Sequence, residues 1–210
     1  MHEIRINKDA KDMLLNSIID IEWRMFDKVH NEGCRASCQD DFRTFYIMRY
    51  SQFRCFSKRM LESYLQDLKD AENEGRNMLT EKYGYMMEYT DPEYFKAKLL
   101  TALPQIAEEK KAIVKGLTDI LLGFEEEFRN MYPRFSGKIR PVSGDGKYDV
   151  SFKVYTIGEL ETYSLRTLAL YALDLNAFRE NGENPSVLIH EKTAEFYGYE
   201  NLRKAEESIR

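Results

Sequence analysis

The densest group of polar side chains in the sequence lies between residues 31 and 41, in a connection between two predicted helices. Its candidates for ligand contact are Asn31, Glu32, Arg35, Ser37, Cys38, Gln39 and Asp40. Together they offer more hydrogen-bonding capacity than a turn needs. One interpretation is an ordered loop in which Ser37, Asp40 or Asp41 caps a helix. The other is a polar cleft that binds a small ligand.

Charged residues also interrupt the apolar faces of the neighbouring predicted helices. Glu22 lies at the edge of the apolar stripe of the first helix, and Arg49 and Gln52 interrupt that of the second. A buried carboxylate needs a partner or its pKa shifts, so we expect Glu22 to pair with Arg35 or Arg49. Candidates for a catalytic role are therefore Glu22, Arg35, Arg49 and Glu159, and Arg49, Gln52 and Tyr163 join the ligand-binding candidates. A purely structural ion pair between helices is the other interpretation.

A metal site was considered at His30, Cys34 and Cys38, which are spaced four residues apart. On a helix this spacing would place one nitrogen and two sulfurs on one face, a combination that zinc favours. Gly33 interrupts the segment, however, and no fourth ligand is apparent. The sequence therefore predicts no metal site here.

Arg24 and His30 resemble the Arg-x4–6-His signature of HEPN ribonucleases, which are also small helical proteins. Six residues along a continuous helix correspond to roughly 240° of rotation, so the two side chains would diverge unless the helix ends between them. A HEPN-like RNase thus stays a third functional hypothesis, and it requires the two residues to converge.

Helical periodicity extends over most of the chain. Apolar spacing and capping residues predict helices over residues 8–29, 41–71, 77–89, 91–103, 104–132, 156–180 and 184–198. Residues 133–150 are irregular, and alternation over residues 148–155 allows a short strand. The expected fold class is all-α, as one domain comprising residues 1–210.

Composition excludes several protein classes. The chain has 210 residues, 32% of them charged, and a formal net charge of −5 without a basic block. This argues against nucleic-acid binding, and no apolar run is long enough to span a membrane. Three cysteines favour a reducing compartment, so we expect a cytoplasmic protein. No Gly-rich phosphate loop or hydrolase motif identifies a cofactor or a reaction.

The sequence contains an internal repeat. A shift of 107 positions aligns residues 45–77 with 152–184, and nine of the 33 pairs are identical. They are Phe45/Phe152, Ser57/Ser164, Arg59/Arg166, Leu61/Leu168, Tyr64/Tyr171, Asp67/Asp174, Leu68/Leu175, Gly75/Gly182 and Asn77/Asn184. Upstream, a shift of 105 matches Glu22 with Glu127 and Arg35 with Arg140. We therefore predict a duplicated helical bundle of two pseudo-twofold-related units, residues 1–103 and 104–210, which differ most between Asn31–Asp41 and Ser136–Asp149.

Several motifs resemble the bacterial domain-of-unknown-function family 4125. They are Glu22-Trp23, Phe26, Asn31–Asp40, Met48–Phe53, Gly75-Arg76-Asn77, Gly158–Ser164 and Tyr197-Gly198-Tyr199. The resemblance covers nearly the whole chain and implies no activity. Relatives joined to a nucleotidyltransferase-like domain imply at most a helical partner or substrate module. Cys34 stands where the family pattern has glycine, which further weakens the metal interpretation.

These observations lead to two main functional hypotheses. The first is a small-ligand site, potentially enzymatic, built from the Asn31–Asp41 loop together with Glu22, Arg49, Gln52 and Glu159. The second is a non-catalytic helical module that docks a protein partner such as a nucleotidyltransferase-like domain. It predicts a large exposed apolar patch instead of an enclosed polar cleft.

Overall fold

A computed structural model describes residues 9–30, 35–144 and 150–209. These residues form eleven α-helices and no strand, which confirms the all-α prediction. The helices are α1 (Ala10–Asp27), α2 (Phe42–Arg54), α3 (Lys58–Asn73), α4 (Met78–Thr90), α5 (Pro92–Tyr94), α6 (Glu108–Met131), α7 (Pro133–Ser136), α8 (Phe152–Thr162), α9 (Leu165–Asn181), α10 (Pro185–Phe196) and α11 (Leu202–Ser208). A 3-10 turn (Ser37–Asp40) precedes α2, and a π-helical turn (Phe95–Leu99) follows α5.

One apolar core receives side chains from both predicted repeats. It contains buried residues of α1, α2, α3 and α4 together with residues of α6, α8 and α9. Tyr64 and Tyr163 meet near its centre, with ring centroids 4.6 Å apart. A smaller cluster around Phe128 joins α6 to α10 and α11. Each half thus buries its apolar faces against the other half.

Two helices predicted as continuous are each broken into two. The prediction of one helix over residues 41–71 is wrong, because Ser57 caps a new helix by accepting a hydrogen bond from the amide of Met60. The helix predicted over residues 156–180 breaks in the same way at Ser164, which accepts from the amide of Thr167. Neither break carries glycine or proline, so apolar periodicity alone continues across both.

The short strand allowed over residues 148–155 is wrong where the structure describes it. Phe152 is already the first residue of α8, and Ser151 is its N-cap, accepting a hydrogen bond from the amide of Val154. Capping by serine decides in favour of helix over the weak alternation of the sequence. Tyr148 and Asp149 lie outside the described residues.

The two halves exchange hydrogen bonds reciprocally at these breaks. The amide of Ser57 donates to Oδ2 of Asp174 at 2.8 Å, and the amide of Ser164 donates to Oδ2 of Asp67 at 2.9 Å. These serines and aspartates are the pairs aligned by the 107-residue shift. The contacts are those that a pseudo-twofold arrangement would produce, and the duplication itself stays a prediction.

The upstream part of the repeat does not show the same correspondence. Glu22 is fully buried, whereas its aligned residue Glu127 is exposed and accepts a hydrogen bond from Asn184. The buried carboxylate of α6 is instead Glu125. The expectation that Glu127 mirrors Glu22 is therefore wrong, because α6 turns a different face to the core.

Glu161 on α8 is a buried carboxylate with an unsatisfied atom. Its side chain is 3% exposed, and Oε2 has no hydrogen-bond partner. Burial, reinforced by the charge of Glu88 and opposed by Lys111 and Lys110, raises the pKa of Glu161 to about 7. The folded protein therefore holds a proton that the unfolded chain releases above its ordinary pKa of 4.5.

Stability should consequently fall as the pH rises from about 4.5 to about 7, by roughly 2–3 kcal/mol from this group. Glu161→Gln should remove that slope and make the protein more stable than the native chain at pH 8. Urea unfolding between pH 5 and pH 8 measures both effects. The exposed Glu126→Gln serves as the control and should keep the native slope. A native slope in Glu161→Gln would assign the pH dependence to another group.

Candidate functional site

A cavity of about 700 Å³ lies between α2, α6, α8 and α10, with contributions from α4 and from residues 135–140. Its lining is mostly aromatic and aliphatic, and includes Phe45, Met48, Phe152, Leu160, Ile189 and Tyr197. This volume falls within the range of about 300–1,000 Å³ that is typical of small-molecule sites. Both halves of the chain are needed to form it.

Helical spacing explains which residues reach the cavity. On α8 the lining residues are Phe152, Tyr155, Thr156, Glu159 and Leu160, which recur every three or four positions and so share one face. On α2 the same spacing brings Phe45, Met48, Arg49 and Gln52 to the cavity, and Phe56 joins them from the break that follows the helix. The polar interruptions seen in the sequence therefore lie where two apolar faces meet.

Arg49 joins two carboxylates that are far apart in the sequence. Its Nε donates to Oε2 of Glu22 at 2.8 Å, and its Nη2 donates to Oε1 of the same residue. Nη1 donates to Oε2 of Glu159 at 2.9 Å. Of the two partners predicted for Glu22, the structure thus selects Arg49. All three side chains are at most 6% exposed.

Further donors surround the two carboxylates. Lys82, which is itself buried, donates to Oε2 of Glu159, while Gln52 and Tyr163 donate to Oε1. Tyr64 donates to Oε1 of Glu22 at 2.6 Å. Glu159 therefore accepts four hydrogen bonds and Glu22 three. The part of this network that lines the cavity, namely Arg49, Gln52 and Glu159, is called the charged wall below.

The charged wall keeps its ions charged. Burial alone would raise the pKa of Glu159, but the charges and hydrogen bonds of Arg49 and Lys82 outweigh it and hold that pKa well below its usual range. Burial also opposes the charge of Arg49, yet Glu159 and Glu22 raise the pKa of its guanidinium well above the usual value. At neutral pH these groups act through charge and hydrogen bonding and do not exchange protons.

A second part of the lining comes from α10 and α6, and it combines three side chains without charge at pH 7 with one carboxyl group. Ser186, His190 and Thr193 line the cavity together with Glu125, and this set is called the neutral wall. The ring of His190 stacks on Phe128 with centroids 4.4 Å apart. Burial and the charge of Arg129 lower the pKa of His190 to about 4, so its imidazole is neutral at pH 7.

The pKa of Glu125 is shifted in the opposite direction to that of Glu159. It is 1% exposed and accepts a hydrogen bond from Arg129 at 2.9 Å. Burial nevertheless raises the pKa of Glu125, with Arg129 and Ser186 acting in the opposite direction. Sequence analysis missed the neutral wall, although positions 186, 190 and 193 share a helical face, a spacing that could have indicated it.

The polar loop has a mainly structural role in the described residues. Gln39 is 1% exposed, and its Nε2 donates to the carbonyl oxygens of Phe26 and Val29, each at 2.9 Å. Its Oε1 accepts from the amide of Ala36. Gln39 thereby satisfies carbonyl groups left open at the end of α1.

Arg35 completes this closure of α1. It pairs with Asp40 at 2.9 Å and with Asp27 at 2.6 Å, and it does not line the cavity. Ser37 and Asp40 are exposed and do not line it either. From the loop, Cys38 and Asp41 do line the cavity. Asn31, Glu32, Gly33 and Cys34 lie outside the described residues.

Of the predicted site residues, Glu22, Arg49, Gln52, Glu159 and Tyr163 come together in one network. Tyr163 is buried behind Glu159 and does not line the cavity. Arg140 and Lys82, which sequence analysis did not single out for chemistry, belong to the same neighbourhood. The guanidinium of Arg140 lies 4.1 Å and the ammonium of Lys82 3.4 Å from the ring centroid of Tyr155.

Of the described residues in the motifs for metal binding and RNA cleavage, Cys38 lines the cavity, whereas Arg24 and His30 do not. Within residues 9–30, 35–144 and 150–209, no three His, Cys, Asp or Glu side chains are grouped to hold a metal ion. Cys34 of the proposed trio falls outside these ranges. Arg24 is engaged by Glu72 through an ion pair of 2.9 Å. None of the helices in the described ranges has the length and apolarity needed to cross a bilayer.

Comparison with known families agrees with the resemblance seen in the sequence. The family model described as protein of unknown function DUF4125 matches residues 12–207. The chain belongs to this family. The DUF4125 match covers every residue of both cavity walls. No curated protein and no solved structure matches the chain.

Proposed function

We propose that this DUF4125 protein binds a small organic molecule in the cavity between its two halves. The observation that carries the proposal is the combination of an apolar cavity of about 700 Å³ with a preassembled charged wall. The apolar lining would hold the body of the ligand, and the charged wall would meet a polar head group. We place this binding in the cytoplasm, which the low cysteine content favours.

The arrangement of the charges supports recognition. Burying ions costs free energy, and a well-packed apolar cluster is often at least as stabilising as a buried ion pair. Here Arg49 and Glu159 lie at a cavity surface, where their fixed orientation lets them select a ligand group without reorganising. Such preorganisation lowers the cost of binding.

If the protein were an enzyme, the residues that position a substrate and those that transfer protons would not be the ones that the sequence suggests. Glu22, Arg49 and Glu159 form a network of ion pairs and would position a substrate. Proton transfer would instead use Glu125, whose pKa is raised, or the neutral imidazole of His190. Binding alone accounts for the charged wall, so binding is the function proposed.

The other two hypotheses from the sequence stay predictions. A docking module requires a wide exposed apolar patch, and a HEPN-like RNase requires Arg24 to converge with His30. The ion pair of Arg24 with Glu72 argues against the convergence that the RNase hypothesis requires. A ligand cavity remains the function that the geometry supports best.

Binding of N-phenyl-1-naphthylamine, a neutral apolar dye that fluoresces when shielded from water, tests the proposal. The native protein should enhance its fluorescence saturably. Thr44→Trp, which places an indole at a lining position on α2, should weaken binding at least tenfold. Thr101→Trp, at an exposed turn outside the lining, is the matched control and should bind like the native protein. Equal binding by both variants would refute a ligand site in this cavity.

A further inference from the structure

The hydrogen bonds of the charged wall leave two donors available to a ligand, against one acceptor position on Oε1 of Gln52. Glu159 already accepts four hydrogen bonds, from Arg49, Lys82, Gln52 and Tyr163. Arg49 has five N–H groups and uses four of them on Glu22, Gln52 and Glu159. The Nε2 of Gln52 has a second hydrogen beyond the one given to Glu159. A ligand group that accepts hydrogen bonds therefore matches this wall better than one that only donates them.

The charges around Tyr155 point in the same direction. Lys82 and Arg140 both lie against its ring, at 3.4 and 4.1 Å from the centroid, and Arg49 is bonded to the same Glu159 as Lys82. This cluster therefore holds three cations, Arg49, Lys82 and Arg140, and two carboxylates, Glu22 and Glu159; of the other lining carboxylates, Glu125 is paired with Arg129 and Asp41 caps α2. The cluster carries a net charge of +1, which an anion would neutralise.

Arg140 supplies the excess charge. It lines the cavity, and within the described part of the chain its guanidinium forms no ion pair and no side-chain hydrogen bond. Its backbone is held, because its carbonyl oxygen accepts a hydrogen bond from Arg129. The planar fork of a guanidinium matches a carboxylate, since two parallel N–H groups can bind its two oxygens.

We infer that the cavity is selective for organic anions, specifically a carboxylate attached to an apolar body, with the carboxylate between Arg140 and the charged wall. This inference rests on the proposed function and names its ligand class. The lining of α2 runs from Thr44 to Gln52, which corresponds to roughly 12 Å of helix. A medium-length alkyl or aromatic body fits along it.

Three probes with the same eight-carbon chain test the inference: octanoate, 1-octanol and octylammonium. Their affinities are measured by displacement of N-phenyl-1-naphthylamine and by calorimetry at pH 7.5, below micellar concentrations. Octanoate should bind at least tenfold more tightly than octanol, and octylammonium more weakly than octanol. In Arg140→Gln the preference of octanoate over octanol should fall below threefold.

Control variants separate recognition from general electrostatics. Lys138→Gln removes an equal charge from an exposed position two residues away and should keep the native preference. Arg140→Lys retains the positive charge and should keep most of the preference for octanoate. The inference is overturned if octanoate shows no advantage over octanol, or if the advantage survives Arg140→Gln. If the inference fails but Thr44→Trp abolishes octanol binding, the cavity still binds small molecules and the proposed function stands.

Discussion

Replacing Arg49 with methionine should lower the free energy of unfolding by about 3–5 kcal/mol. The substitution preserves most of the side-chain volume but removes the cation that holds Glu22 and Glu159 together. Glu22 would be left buried with only the hydroxyl of Tyr64, and Glu159 with Lys82, Gln52 and Tyr163. Urea unfolding monitored by circular dichroism at pH 7 measures the loss.

The pH dependence of this loss distinguishes electrostatics from packing. In the native protein the depressed pKa of Glu159 contributes stability that is present above its unfolded pKa and is lost as the pH falls through the folded value. Without Arg49 the buried carboxylates should protonate more readily. The difference between Arg49→Met and the native protein should therefore shrink between pH 7 and pH 5.

A matched substitution on the same helix provides the control. Arg43 is exposed on α2, and Arg43→Met should change stability by less than about 0.5 kcal/mol. Arg49→Lys should lie between the two, because an ammonium cannot bind both carboxylates in the fork geometry. A folded Arg49→Met protein within 1 kcal/mol of native stability would show that the ion network adds little to the fold.

Gly158→Ala is expected to cost about 3 kcal/mol, at the upper end for overpacked positions. An added Cβ would lie 2.5 Å from Cγ of Met86 and 2.8 Å from the backbone oxygen of Lys82. The methionine side chain could move aside, but a backbone oxygen moves only if α4 shifts. Thermal and urea unfolding measure the cost.

The same shift should also disturb the charged wall, because Lys82 reaches Glu159 across the contact between α4 and α8. Gly123→Ala is the opposite case. Gly123 lies inside α6, and no atom lies within 4 Å of the position that an added Cβ would take. The substitution should stabilise the protein by about 0.5–1 kcal/mol through helix propensity. Equal stability of Gly158→Ala and the native chain would mean that α4 and α8 are not fixed at this distance.

The all-α class and the pairing of Glu22 with Arg49 could both be predicted from the sequence, and the pairing has a physical reason. Charged residues on an otherwise apolar helical face have to meet a partner when that face is buried. This argument singled out Glu22, Arg49, Gln52 and Glu159, which the structure brings into one network. The helix breaks at Ser57 and Ser164 were missed because serine caps are common residues and apolar spacing continues through them.

Other features of the site depend on packing between distant segments and leave little trace in local patterns. Lys82 and Arg140 are ordinary surface residue types, and only the approach of α8 places them on the ring of Tyr155. The Asn31–Asp41 loop is the opposite case, because its polar composition suggested ligand contact while only Cys38 and Asp41 of its described residues line the cavity. Its described polar residues Arg35 and Gln39 use their hydrogen bonds on the end of α1.

The reciprocal bonds between the halves also constrain how the chain folds. The acceptor for the amide of Ser57 lies 117 residues later in the chain, and the second carboxylate of Arg49 lies 110 residues later. These partners are absent while the first half leaves the ribosome. Because these contacts join segments more than 100 residues apart, folding should be slower than that of simple helical bundles and should finish only after the second half has been synthesised.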